Sequence, residues 1–278
     1  MKNLILIALL SLNPLVYAQS IINITNGEWE PYHSQFSYQY GFDSHVVSES
    51  FKLEGIAVNW GFFPWKRAFH LAKNGKEWQA SAAWWPSDKT KADFLISDPI
   101  SNTSFVFFHL KSRVFDWSSV SDLNGLRVGG TLEYNYGREF MDAMHQDNID
   151  VQLVASDELN YKKLLNDRID IFPNDLTVGY SQIRNSVTPQ DVGKFTHHPL
   201  EFEKTTLHLI ISKQAKNAHW FIKKFNAGLK KLKATGKHQE MFNDLKSGKY
   251  DKNKTKWHKK SPQKHRGLKT HIKLNLKH

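Results

Sequence analysis

"LLNDRIDIFPNDLTVGYSQIR", residues 164 to 184, decides how the chain is to be read. A helix ends near Asp167, an apolar run from Ile169 to Phe172 has the length of a short strand, and a second helix opens at Leu176. A strand set between two helices belongs to a parallel sheet covered on both faces. In such sheets ligands gather beyond the carboxyl ends of the strands. Asp170 falls near the beginning of this strand, where a structural duty is expected. Asp175 falls just past its carboxyl end. One carboxylate has several acceptor sites, so Asp175 is a candidate both for capping the helix at Leu176 and for holding a ligand.

The pattern repeats outward in both directions. Upstream, residues 156 to 167 form a helix opened by Ser156 or Asp157, with Leu159, Leu164 and Leu165 turned inward. Strands are predicted at "LRVGG" (126 to 130) and "IDVQLVA" (149 to 155), with a helix between them over 134 to 146. Nearer the start, "IINIT" (21 to 25), "IAVNW" (56 to 60) and "WQASAAW" (78 to 84) read as strands. The first helix between them carries Val46, Val47 and Phe51 and closes at Gly55. The second starts at Pro64 and stops at Gly75. Downstream come a strand at 205 to 212 and helices near 214 to 233 and 236 to 246. Two similar α/β blocks are joined through "SFVFFHL" (104 to 110).

With 278 residues and 32.2 kDa, the chain is long enough for two domains. Residues 1 to 18, with Lys2, the apolar run "LILIALLSL" and small or aliphatic Val16 and Ala18, have the form of an export signal. Cysteine is absent, which excludes disulfides, a thiolate nucleophile and Cys-based zinc sites. The net charge of +11 suggests nucleic acid until it is located. Residues 249 to 278 hold ten lysines and one arginine against the single acid Asp251, and Lys2 supplies one more charge. Residues 19 to 248 are therefore neutral, and no nucleic-acid partner is expected. The tail is expected to be disordered, with contact to anionic envelope surfaces as its sharper role.

Phosphate loops, nucleophile elbows and zinc-binding H-E-x-x-H patterns are missing, and no cofactor is expected. What the chain has in excess is tryptophan, with six of its nine between Trp29 and Trp85. Trp29, in "NGEWEPYHS" after the first strand, lies where an aromatic ring can stack on a small ligand.

Five segments in order, "NGEWEPY", "FPWKRAFHLAKNGK", "DFLISDPI", "DLNGLRVGG" and "LLNDRIDIFPND", resemble the periplasmic solute-binding proteins of the amino-acid type, family 3. The resemblance spans residues 20 to about 247. It implies a type II periplasmic-binding fold, with two α/β lobes joined by two hinge strands near 105 to 113 and 203 to 211. The implied organisation is a signal peptide at 1 to 18, a first lobe from 19–110 and 205–248, a second from 111–204, and the tail 249–278. It implies a monomeric, periplasmic binding protein rather than an enzyme, serving the membrane permease of an ABC importer. The alternatives are a dehydratase-like enzyme on the same scaffold and a sensory or envelope-associated binding protein.

Carried over by position, Trp29 matches the aromatic that covers the ligand. Trp84 and Trp85 open the stretch to Ser87 that contacts it, and Asp175 matches the acid that pairs with an α-ammonium. Tyr134 and Asn135 fall at the helix start that meets the α-carboxylate, where helix N-termini favour anions. The family's carboxylate-binding Arg is missing. Thr90 or Lys91 stands there, and Lys91 supplies charge without a planar fork. Arg67 is a further candidate cation at the cleft.

Overall fold

The computed structural model describes residues 20–132, 134 and 136–251. The expected export signal, Glu133, Asn135 and the tail beyond Asp251 lie outside the described residues.

The first part of the chain runs β1 (Ser20–Asn26), α1 (Phe42–Lys52), β2 (Ile56–Phe62), α2 (Trp65–Lys73), β3 (Ala80–Trp84), α3 (Asp88–Asp93) and β4 (Phe94–Leu110). The second runs β5 (Arg127–Thr131), α4 (Arg138–His145), β6 (Asp150–Val154), α5 (Asp157–Leu165), β7 (Phe172–Asp175), α6 (Leu176–Ser186), α7 (Pro189–Val192) and β8 (Phe195–His197). The chain then returns through β9 (Phe202–Ser212), α8 (Ala218–Ala234) and α9 (Lys237–Lys246).

β1 pairs in parallel with both β2 and β3, as the alternation of strands and helices predicts. β9 lies antiparallel between β3 and β4, and β4 carries β7 and β8 on its far part. β5 and β6 form a parallel pair tied to this sheet by a bridge from Val128 to Ile171.

Each lobe buries helices against both sheet faces. In the first, Ile22 and Ile24 meet Val46, Val47 and Phe51 of α1 and Phe221, Phe225, Leu229 and Leu232 of α8. Phe69, Ala72, Phe94 and Ile210 form the opposite layer. In the second lobe the period of two along β4 is visible. Phe105 and Phe107 enter one core with Trp117 and Phe140, while Val106 and Phe108 enter the other with Tyr161 and Phe172. Each such ring contributes about 1.5–3 kcal/mol when fully buried.

β4 runs unbroken from Phe94 to Leu110, pairs with β9 from Phe94 to Phe105 with shifts of register, and from Phe105 to Phe108 pairs with β7. A continuous strand shows no change of composition where it passes between cores. The packed chain also continues past 248. Tyr250 is fully buried with its hydroxyl 2.8 Å from His45 Nδ1, and Asp251 accepts from Ser181 and Arg184 of α6.

Asp170 has the structural duty expected of it. Its buried carboxylate meets Arg113 and Arg127, each 2.6 Å from the same oxygen, and the Arg127 backbone N–H donates to the other at 2.7 Å. Residues 170 and 127 are thereby locked side by side at the start of the second lobe's strands.

Candidate functional site

The carboxyl ends of β1, β2 and β3 project three aromatic loops. Behind β1 the chain makes a tight reversal in which Trp29 and His33 exchange backbone hydrogen bonds of 2.7 and 2.9 Å. The fully buried His33 ring anchors that reversal, with Nδ1 2.6 Å from Asn26 Nδ2 and 3.0 Å from Ser44 Oγ, and Nε2 3.5 Å from Asp43. Trp29 is thus held half-buried over Tyr32, ring centroids 4.9 Å apart.

Trp65, the first residue of α2, donates from its indole to the Glu28 carbonyl at 3.4 Å and meets Trp84 edge-on at 5.5 Å. Trp84 turns into the first lobe, donating to Ser81 Oγ at 2.7 Å and packing on Phe69 at 5.0 Å. Trp85 leaves in the other direction and packs against the second lobe's core, 6.4 Å from Phe105. Neighbouring residues on one loop thus serve different lobes.

The expected cations stand at the edges. Arg67 is exposed, its guanidinium 5.3 Å from the centre of the Phe63 ring. Lys91 is exposed in the last turn of α3, and its carbonyl accepts from Lys213 Nζ at 2.7 Å. Thr90 is the buried member of that pair, and its hydroxyl serves a capping box with Ser87.

In the second lobe Tyr134 donates its hydroxyl to Asp157 at 3.0 Å. Asp157, missed as a site candidate, lies where the carboxyl ends of β5, β6 and β7 converge. Its buried carboxylate accepts from Thr131 Oγ1 at 2.5 Å, Gln182 Nε2 at 2.8 Å and Asn174 Nδ2 at 3.4 Å. Burial pushes its carboxyl up, opposed by the bonds from Thr131, Gln182 and Tyr134. The positional rule that singles out Asp175 also applies to Asp157, which the sequence offered only as a helix cap.

Asp175 is buried and caps α6, accepting from the N–H groups of Thr177 at 2.9 Å and Val178 at 2.8 Å, and its other oxygen accepts from Thr103. Burial pushes its carboxyl up to about 6 against the bonds from Thr103, Val178, Thr177 and Ser104. Tyr32 reaches from the first lobe toward Asp175, Thr177 and Thr103, and burial followed by the Asp175 charge raises its phenol. A cavity of 740 Å³ opens here between α6, α9 and the crossing strands, lined by Tyr32, Thr103, Asp175 and Tyr180 together with the charged Arg184, Glu201, Lys204 and Lys246. Of the predicted site residues only Asp175 lines it; Trp29, Trp84, Trp85 and Tyr134 do not.

Among the described residues no cluster of three or more metal-ligating side chains gathers, and no helix is long and apolar enough to cross a membrane. No family model and no curated protein matches the sequence. Solved structures match the architecture. The Lactococcus lactis GlnP substrate-binding domain 2, in an open conformation, superposes with a TM-score of 0.63 at 16% identity, covering 85% of this chain and 97% of that one. The chain has the type II periplasmic-binding fold. The Nostoc punctiforme GluR0 ligand-binding core in complex with L-glutamate matches with a TM-score of 0.59 at 18% identity, over 81% of this chain and 98% of its own. A histidine kinase sensor domain with similarity to periplasmic binding proteins matches at 0.64 and 14% identity, over 82% and 96%. All three are, by their names, ligand-binding or sensor modules rather than enzymes.

Proposed function

We propose that this chain is an exported solute-binding protein that captures a small polar ligand between its lobes and passes it to the permease of an ABC importer. One observation carries this. Trp85, which directly follows β3 of the first lobe, packs against the second lobe's core, as does Tyr134, whose hydroxyl donates to Asp157, so the loop at the carboxyl end of β3 reaches both lobes. Ligand contacts from both lobes favour a closed form through differential affinity. In this reading Trp29 and Trp85 stack on the ligand, Trp84 supports them, and Tyr134 lines the second wall. Asp175 fixes the crossing strands against α6 and supplies negative potential at the floor of the cleft. Lys91 and Arg67 act at its mouth.

The fold similarity to a substrate-binding domain of a putative amino acid ABC transporter supports delivery to a permease. The similarity to a histidine kinase sensor domain supports a second reading, in which the same capture reports to a signalling partner.

Native mass spectrometry of freshly purified protein tests capture. A mass excess that disappears on mild denaturation, or a rise in unfolding temperature with one class of solute, is the expected result. A tight ligand at 100-fold excess over its Kd adds about 2.7 kcal/mol. No retained compound and no shift across amines, amino acids and small acids would count against solute binding.

A further inference from the structure

An α-carboxylate needs a guanidinium fork or a free helix N-terminus to receive it. Neither stands open at the two positions where the family resemblance places that carboxylate. At the position before β4 the buried Thr90 hydroxyl is taken up by Ser87, accepting from its N–H at 2.8 Å and donating to its carbonyl at 2.9 Å. Lys91 beside it is exposed.

The start of α4 is occupied from within the chain. Gly137, its N-cap, has φ +91°, and a Cβ built there would overlap the carboxylate of Glu203. Glu203 comes from β9, where the register against β4 shifts, and it holds a left-handed φ of 46° uncommon outside glycine. Its carboxylate therefore sits at the positive end of a helix, where a ligand's carboxylate would otherwise go.

The remaining lining favours positive charge. Asp157 is held by Thr131, Tyr134, Gln182 and Asn174, all neutral donors, so no cation among these partners offsets it. The half-buried rings of Trp29, Trp65 and Trp85 have electron-rich faces that attract cations. The nearby cations Arg67, Lys91 and Arg138, and Arg184, Lys204 and Lys246 around the cavity at Asp175, are all exposed. We infer that the cleft selects an organic amine without a carboxylate, and that Glu203 excludes the corresponding amino acid by filling the anion position. This rests on the solute-binding reading.

The test is titration calorimetry of the full mature chain with matched pairs that differ only in the carboxylate: agmatine and L-arginine, cadaverine and L-lysine, tyramine and L-tyrosine. At least one amine should bind roughly tenfold tighter than its amino acid. Equal or tighter binding of the amino acids would overturn the inference. Glu203→Gln, at an exposed position, should narrow the amine-to-acid ratio by about threefold or more. An unchanged ratio removes Glu203 from the explanation. If no pair binds while native mass spectrometry finds a retained acid or neutral compound, the amine preference fails and solute capture stands. If nothing binds and nothing is retained, both fail.

Discussion

The indole of Trp65 stands where a side chain on Gly27 would project, so the loop after β1 and the first turn of α2 fit together only because residue 27 has no Cβ. Gly27→Ala should displace Trp65 and lower stability by about 1–3 kcal/mol, the usual effect of overpacking. Urea unfolding with tryptophan emission checks this. An unchanged midpoint and spectrum would show that the loop absorbs the methyl group.

Asp157 gathers donors from Thr131, Tyr134, Gln182 and Asn174. Asp157→Ala leaves several of them buried without an acceptor, which should lower stability by about 2–4 kcal/mol. Asp157→Asn keeps one acceptor oxygen and should lose less. Equal losses in the two variants, measured by denaturant unfolding, would point to side-chain volume rather than hydrogen bonding.

Asp175 gives a pH dependence with a definite sign. Its folded carboxyl is raised from 3.8 to about 6, so between these values the folded protein holds a proton that the unfolded chain has released. Its contribution is full below about pH 4 and lost as pH rises through 6, on the order of 3 kcal/mol. Asp175→Asn retains a good cap and should flatten this part of the profile. The difference between wild-type and variant unfolding free energies from pH 4 to 7 isolates it.

Asp170 has the opposite sign. Burial works against ionisation, but hydrogen bonds from the Arg127 side chain and backbone, with the charges of Arg113 and Arg127, outweigh it and hold the carboxyl low. Its contribution is present above the ordinary carboxylate range and disappears as pH falls through the depressed value. Asp170→Asn should lower stability at neutral pH by about 1–3 kcal/mol, discounted because both arginines are partly exposed. The loss should vanish in strong acid. A pH-independent loss in urea titrations would assign the effect to packing.

Trp29 and Trp84 should separate binding from folding. Trp29→Ala is expected to weaken ligand binding roughly tenfold with a small change in unfolding midpoint. Trp84→Ala removes contacts with Phe69 and Ser81 and should lower stability by about 2–4 kcal/mol. If Trp29→Ala leaves affinity intact, Trp29 is a packing residue.

Much of the fold is legible from local pattern. The strands at 21 to 25, 56 to 60 and 126 to 130 and the helix at 156 to 167 emerge within a few residues of their predicted ends, because periodicity and caps act within a turn or two. The strand expected at 169 to 172 is shifted: Phe172–Asp175 pairs with β4, while Ile171 makes only a bridge to Val128. The helix expected from 134 starts at Arg138; before it the Tyr136 hydroxyl accepts from the Thr131 N–H at 2.7 Å and Gly137 takes a φ of +91° outside the helical region. Lys91 was placed by position in the chain. Its helix turns it outward and Thr90 inward, which depends on where α3 begins.

The sequence by itself determined the order of elements, the parallel pairing of the first three strands, and Asp175 as the cap of the helix that follows it. These depend on side-chain period and short-range hydrogen bonds. Only the tertiary structure decided how the carboxylates are used: Asp157 held by neutral donors from three other segments, Asp175 shared with Thr103, and Glu203 laid against Gly137. Each of these contacts joins positions far apart in the chain, and those of Asp175 with Thr103 and Glu203 with Gly137 are set by how β4 and β9 cross between the lobes. Local periodicity carries no record of that crossing.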